Sequence, residues 1–468
     1  MVRSFLGPNC LGNKNVALVD EDRIQVKYED LGSLITMFES RLNHRSLILV
    51  LADRNIATLS CYYALMACGH VILMLDPSLS LDDLLRYIAI YRPQYVLGHH
   101  SKLSAVNHKR HVLEFNDRAI VELDTPRFAL NDSLALLLTT SGSTGNPKTV
   151  RLSYENLRAN SKAFADTARI TQDDVGIVSL PVYYTYGLAV CHVHFLVGAK
   201  LALTERKVYE PEFEQLILRE KVTSIHGVPY IYECMERSGF LNRIPDSIRI
   251  ATAGGGSFKA GLQERINNLA DTSGFRFLAQ YGQTEGTALL TKVPNAAKYN
   301  DVGCVGLPCQ GMEASVDPIN SELCFSGPSV SLGYANGYSD LSKGDDNQGF
   351  LRTGDTDRIE KDGRIYLTGR LTRIIKIKGI RYNLDDIERL IALQFNTECI
   401  CIEHLDKLFC GVIACEDDSA VANWTSRRFK ISLNRISVVS LDDVPKQGSG
   451  KIDYGKFKEV VSEGCNLC

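Results

Sequence analysis

The chain has 468 residues, 45% of them hydrophobic and 23% charged, with a formal net charge of -3. That length exceeds what one hydrophobic core serves, so two or more domains of ordinary globular composition are expected. The near-neutral balance argues against a bulk electrostatic partner such as nucleic acid or an anionic membrane surface.

Met1 to Pro8 lack the sustained apolar core of a secretion signal. Residues 46–53 read as a buried strand, 56–69 as a helix and 70–77 as a second strand. The apolar stretch 61–76 is broken by Gly69 and His70 and stopped by Asp76-Pro77, so it is expected to be buried rather than to span a bilayer. A helix, a break at Pro93 and a further strand follow over 81–98. The rhythm continues through 176–184, 187–203, 222–229, 247–257 and 275–285, predicting a largely parallel α/β sheet.

Beyond residue 300 the texture changes to short strands with turn signals such as Lys361-Asp-Gly363, which predicts a smaller β-rich subdomain. Strand, helix and strand signals return after 371, so a short hinge is expected near 370–373. The 14 scattered cysteines are expected to be reduced thiols in a cytoplasmic protein. Cys465-Asn-Leu-Cys468 lacks two further metal ligands, and Asn466 is not aliphatic as a prenylation box requires, so a frayed tail is expected.

The chemistry concentrates first in residues 134–157, LALLLTTSGSTGNPKTVRLSYENL, where a buried-looking strand runs into hydroxyls, glycines and a lysine. Glycines let backbone N–H groups converge on an anion, hydroxyls add donors, and Lys148 adds positive charge. A Walker loop is excluded, because Pro147 separates Gly145 from Lys148 and no Gly-Lys-Ser/Thr follows.

Five more motifs follow in order: TAGGGS (252–257), YGQTE (281–285), RTGD (352–355), the segment 369–388, and PKQGSGKID (445–453). Together with TSGSTGNPK (140–148), this series resembles the AMP-forming adenylating superfamily of acyl-CoA synthetases, amino-acid adenylation domains and luciferases, over about residues 15–460. The resemblance implies an α/β fold with a large multi-layer N-terminal domain (1–370) containing parallel sheets and the β-rich subdomain. A small mobile α+β C-terminal domain (371–468) would carry the catalytic lysine.

By the same resemblance, Thr140, Ser141, Gly142, Ser143, Thr144, Gly145 and Lys148 would hold the ATP phosphates. Gly254, Gly255 and Gly256 would lie against adenine, beside Tyr281 and Gly282. Asp355, as an acceptor-only carboxylate, would take the ribose hydroxyls, with Arg370 nearby. Thr284 would bond the α-phosphate, Glu285 would hold Mg2+, and Lys451 would bridge the substrate carboxylate and the α-phosphate. Rotation about a hinge at Thr372, where the family usually has Asp or Lys, would bring Lys376, Lys378 and Gly379 to a thiol tunnel.

On the acyl side the resemblance points to Tyr184, Thr185, Gly187 and His226; core packing competes for Tyr183, Tyr184 and Tyr186, and a structural role for His226. Amino-acid adenylation domains place Asp where Thr185 stands. A neutral Thr185 offers no countercharge to an α-ammonium, which favours an uncharged-tail carboxylic acid. Thr149, where the family continues with Gly, is a further departure.

The expected reaction consumes ATP with Mg2+, forms acyl-AMP and transfers the acyl group to CoA. A carrier-protein phosphopantetheine supplied in trans is the alternative acceptor. An inactive nucleotide- or acyl-binding relative is opposed by the intact Glu285, Asp355 and Lys451, and nothing indicates luciferin.

Overall fold

A computed structural model describes residues 13–115, 117–139, 148–256, 258, 261–293, 304–377, 380–405, 407–413, 417–447 and 452–465. Thr140, Ser141, Gly142, Ser143, Thr144, Gly145, Lys378, Gly379, Lys451 and Cys468 lie outside the described residues.

Leu47–Leu51 and Val71–Leu75 are continuous apolar runs buried along their whole length, as strands covered on both faces must be. Alternate residues feed opposite faces. Ile48 and Val50 enter one core, while Leu47, Leu49 and Leu51 enter another. These strands pair in parallel with each other, and on either side with Tyr95–His99 and Leu134–Thr139. Antiparallel strands flank this group, and among the described residues the sheet has eight strands.

Helix starts follow local chemistry. Asn55 accepts from the Thr58 N–H ahead of Ile56–Ala67, and Ser80 accepts from the Asp83 N–H ahead of Leu81–Tyr91. The expected break at Pro93 is present: Arg92 closes that helix in the left-handed region at φ 50°.

The second large sheet has thirteen strands among the described residues. Val16–Asp20, Lys200–Leu203, Val175–Val178, Ser224–Gly227, Ile250–Gly254 and Arg276–Tyr281 are mutually parallel neighbours in that order. The β-rich region after residue 300 does not form a sheet of its own. Thr291–Lys292 pairs antiparallel with Gln280 and Tyr281 on one side and with Leu307 and Pro308 on the other, extending the parallel sheet into antiparallel strands. The change of sequence texture marks the switch from crossover helices to hairpins, a local property, whereas this pairing is long-range.

Leu371–Arg373 forms a 3-10 turn where the hinge is expected. Beyond it lie the hairpin Ile374–Ile377 with Ile380–Asn383, the helix Leu384–Phe395, and a three-stranded sheet of Cys399–His404, Lys407–Ile413 and Ile436–Leu441. Ile387, Ile391, Leu408, Val412 and Val421 give this region its own core. Among the described residues no helix is long and apolar enough to cross a membrane.

Candidate active site

Two of the predicted motifs, TAGGGS and YGQTE, lie at the carboxyl ends of neighbouring parallel strands, the usual position of a ligand crevice in such sheets. Gly254 ends Ile250–Gly254, with Gly255 and Gly256 just beyond it, and Tyr281 ends Arg276–Tyr281. Two glycines are required by their surroundings. A Cβ on Gly255, at φ +83°, would stand 2.6 Å from the Tyr184 Oη, and one on Gly282 would stand 1.4 Å from the Ala288 carbonyl oxygen.

Asp355 is 5% exposed. Its Oδ2 accepts from Tyr281 Oη at 2.5 Å, and its Oδ1 lies 2.9 Å from Arg370 Nε. Burial raises its pKa above the ordinary carboxylate value, opposed by the Arg370 charge and the Tyr281 hydrogen bond. Each carboxylate oxygen still has a lone pair to offer. The backbone here is held locally: Thr353 Oγ1 accepts from the Asp355 N–H at 3.0 Å and donates to the Leu323 carbonyl at 2.7 Å. The Gly354 N–H donates to Glu322 Oε1 at 2.9 Å.

A second group forms around Glu285. Tyr334 Oη donates to Glu285 Oε1 at 2.8 Å, and Lys148 Nζ lies 3.4 Å from the centroid of the same tyrosine ring. Thr284 Oγ1 and Thr185 Oγ1 share a hydrogen bond of 2.7 Å, so the hydroxyl expected at the α-phosphate meets the one expected in the acyl pocket. Thr149, the departure at the loop's exit, donates from Oγ1 to Tyr91 Oη at 3.2 Å inside the core. Its side chain has a structural partner.

The acyl-side residues separate into two depths. Tyr184 is half-buried against Gly255, and Thr185 and Gly187 lie in the first turn of the helix Thr185–Val197. Tyr186 is buried beneath them, its Oη 2.6 Å from Thr252 Oγ1, which also meets His226 Nδ1 at 2.7 Å. His226 lies edge-on to Phe164 and His194, with ring centroids 5.7 and 5.5 Å away. Burial lowers its pKa well below the ordinary value, so the ring is neutral. Its Nε2 has no hydrogen-bond partner among the described residues.

Around the expected hinge, Thr372 is exposed and the anchoring falls on its neighbours. The Arg370 N–H donates to Asp385 Oδ2 at 2.9 Å, and Arg373 Nε donates to Asp385 Oδ1 at 2.7 Å, so one carboxylate straddles the turn. Arg373 also pairs with Glu388 and stacks on Tyr454 at 3.9 Å. Lys376 lies on the strand Ile374–Ile377. Lys446 and Ile452, on either side of Lys451 in sequence, form an isolated antiparallel bridge. Lys446 Nζ lies 3.8 Å from Glu233 Oε2, on the helix Pro229–Arg237 that follows the strand Ser224–Gly227.

Sequence reasoning missed Tyr334, Arg151, Thr252, Glu233 and Lys446. For Arg151 a signal was available: a charge inside the otherwise uncharged strand Thr149–Ser153, all five residues of which are buried. Tyr334 gave none, since its strand has two residues.

Residues 12–335 match the AMP-binding enzyme family, and the chain belongs to it. Among curated relatives, it is 28% identical over 320 residues to a 4-coumarate–CoA ligase-like protein of Oryza sativa subsp. japonica, covering 64% of this chain and 51% of the relative. It is 29% identical over 370 residues to the acyl-CoA ligase SID4 of Ajellomyces capsulatus, covering 69% of this chain and 60% of the relative. The chain thus spans between half and two thirds of the length of these relatives. In fold it is similar to ATP-bound MatB from Rhodopseudomonas palustris, with TM-score 0.80, 22% identity and coverage of 98% of this chain and 99% of that one.

Proposed function

We propose that this chain activates a carboxylic acid with an uncharged tail by joining it to AMP, then passes the acyl group to a thiol, that of CoA. In the first step a carboxylate oxygen attacks the α-phosphorus of ATP; the new O–P bond forms as the bond to the β-phosphate oxygen breaks, and pyrophosphate leaves. In the second, the thiol sulfur attacks the acyl carbon, AMP leaves and the thiol proton is released.

The observation that carries this reading is the convergence of three groups at the strand ends: Asp355 with Tyr281, Glu285 with Tyr334 and Lys148, and the Thr185–Thr284 hydroxyl pair. Asp355 would hold the ribose, and Lys148 with the 140–145 loop would take the outgoing β- and γ-phosphates. Glu285 is the residue for Mg2+. One of its oxygens is engaged by Tyr334, and Oε2 has no partner among the described residues. A single carboxylate suits an ion that draws its other ligands from phosphates and water. Bound there, Mg2+ supplies charge neutralisation on the phosphoryl oxygens.

The Thr185 hydroxyl is neutral and engaged by Thr284, which supports an acid without an α-ammonium group. The ATP carried by the MatB structure and the CoA-ligase names of the sequence relatives support nucleotide and thiol. Residues 1–370 and 371–468 would act as two domains alternating about Thr372, in the cytoplasm. Lys451 would enter for adenylation, and Lys376, Lys378 and Gly379 for thiol transfer. The bridge at Lys446 supports this, since its side chain reaches the helix Pro229–Arg237.

Lys451→Ala tests the assignment. It is expected to abolish carboxylate-dependent pyrophosphate release while sparing thioester formation from chemically supplied acyl-AMP. Equal survival of both half-reactions would refute the role. A panel of acids with CoA and with a carrier protein, read by mass spectrometry, identifies both substrates.

A further inference from the structure

We infer that Tyr334 is a positioning residue that keeps the phosphate-loop lysine and the metal carboxylate apart, each aimed at its own ligand, and that Arg151 fixes Tyr334 in place. The inference rests on the nucleotide-activating reading above. A site that must offer a free cation to phosphates and a free carboxylate to a metal has an intrinsic weakness. The two charges attract, and a direct ion pair between them would have to break before either ligand could bind.

Among the described residues no ion pair joins Lys148 to Glu285. Tyr334 stands between them and offers each a different part of itself. The π-face takes the ammonium, with Nζ 3.4 Å from the ring centroid, and the hydroxyl donates to Glu285 Oε1 at 2.8 Å. A ring that holds Lys148 by a cation–π contact leaves its N–H donors available, which a carboxylate partner would consume. A hydroxyl that donates to one carboxylate oxygen leaves the other for a cation. Tyr334 is 37% exposed, so this arrangement opens to solvent on one side.

The support beneath it is a buried charge. The Arg151 side chain is 0% exposed. Its Nε donates to the Tyr334 carbonyl at 3.1 Å and its Nη2 to the Leu332 carbonyl at 2.7 Å. Its Nη1 donates to the Lys343 and Gly344 carbonyls at 2.8 and 3.0 Å, and Asp346 balances the charge at 2.6 Å. Tyr334 also pairs with Val150 in antiparallel register. Lys148 lies two and three residues before Val150 and Arg151, so one strand fixes both the lysine and its separator. The same segment reaches Glu285 a second time, where the Ser331 N–H donates to the Glu285 carbonyl at 2.9 Å.

Calorimetric titration of ATP into the full chain, once with Mg2+ and once with a metal chelator, tests the inference in wild type, Tyr334→Phe and Tyr334→Leu. The phenylalanine keeps the ring. It is expected to bind metal-free ATP within about twofold of wild type and to lose about fivefold of the gain that Mg2+ adds. The leucine removes the ring as well and is expected to weaken metal-free ATP binding by about tenfold. A merely structural role would weaken both titrations together, and thermal melting of the ligand-free variants records whether the fold is kept. Two results overturn the inference alone: both variants matching wild type, or Tyr334→Phe losing metal-free affinity as fully as Tyr334→Leu. Absence of ATP binding by the wild type would instead overturn the nucleotide reading, and this inference with it.

Discussion

Acid should unfold this protein earlier than its carboxylates alone would dictate, because four of its ten histidines are buried as neutral rings. His70 Nδ1 accepts from the Ser46 N–H at 3.3 Å, and His192 Nε2 meets Tyr62 Oη at 2.7 Å. His194 Nε2 meets Ser224 Oγ at 3.0 Å, and His226 Nδ1 meets Thr252 Oγ1 at 2.7 Å. Burial lowers His70 and His194 to about 4 and His192 to about 3, and holds His226 well below its ordinary 6.5. The unfolded chain protonates these rings near pH 6.5 and the native chain does not. Their contribution is therefore complete above that pH and lost as pH falls toward the native values.

From about pH 7.5 to about pH 5.5 each ring costs about 1.4 kcal/mol, or about 5 kcal/mol for the four. Two carboxyls act in the opposite sense. Burial pushes Glu388 up to about 7 and Asp357 up to about 6, so the native state gains protons there over the same interval. They return about 2 to 3 kcal/mol, leaving a net loss of about 3 kcal/mol and an uptake of about two protons on unfolding at about pH 5.5. The assay is proton uptake in weakly buffered solution as urea unfolds the chain. His192→Gln, which keeps a partner for Tyr62, should lower the uptake by about one proton. Proton release by the wild type, or an unchanged uptake in His192→Gln, would refute the reasoning.

Other perturbations follow from single contacts. Arg151→Met removes the buried guanidinium that donates to the Leu332, Tyr334, Lys343 and Gly344 carbonyls and pairs with Asp346; thermal unfolding should register a loss of about 3 kcal/mol or more. Gly282→Ala drives a methyl into the Ala288 carbonyl and should cost at least about tenfold in ATP affinity by calorimetry. A methyl on Gly256 meets only ordinary contact with Pro229 at 3.6 Å, so Gly256→Ala should leave the melting temperature within about 2 °C. Lys446→Glu should slow carboxylate-dependent ATP–pyrophosphate exchange by about threefold, and the Glu233→Lys, Lys446→Glu pair should recover part of it.

The sequence disclosed those parts of the site that are local. The strand end before TSGSTGNPK and the glycines at 254–256 each carry their chemistry within a few residues, and Tyr281 and Asp355, read from two separate motifs, meet in one hydrogen bond. What stayed hidden depends on distance along the chain. Arg151 reads as one residue of a short strand until the carbonyls it serves, more than 180 positions later, are folded onto it. Thr252 looks like a lead-in to glycines, yet it is the hydroxyl on which Tyr186 and His226 meet. The pairing of Thr291–Lys292 with two partners was hidden for the same reason: hydrophobic periodicity reports which face is buried and says nothing of which strand lies alongside.

The short strand Tyr334–Ala335 completes the edge of the eight-stranded sheet, while the strands on either side of it in sequence, Glu322–Ser326 and Phe350–Ile359, belong to the thirteen-stranded one. During synthesis, Thr149–Ser153 therefore leaves the ribosome with one edge unpaired and a buried arginine without its carbonyls, and waits until almost two hundred further residues have emerged. A nascent chain halted anywhere in that interval holds both large sheets in part and the assembled site not at all. On the proposed reading, competence to bind nucleotide should thus arrive late in translation, after this two-residue strand docks and Asp355 and Arg370 have followed it.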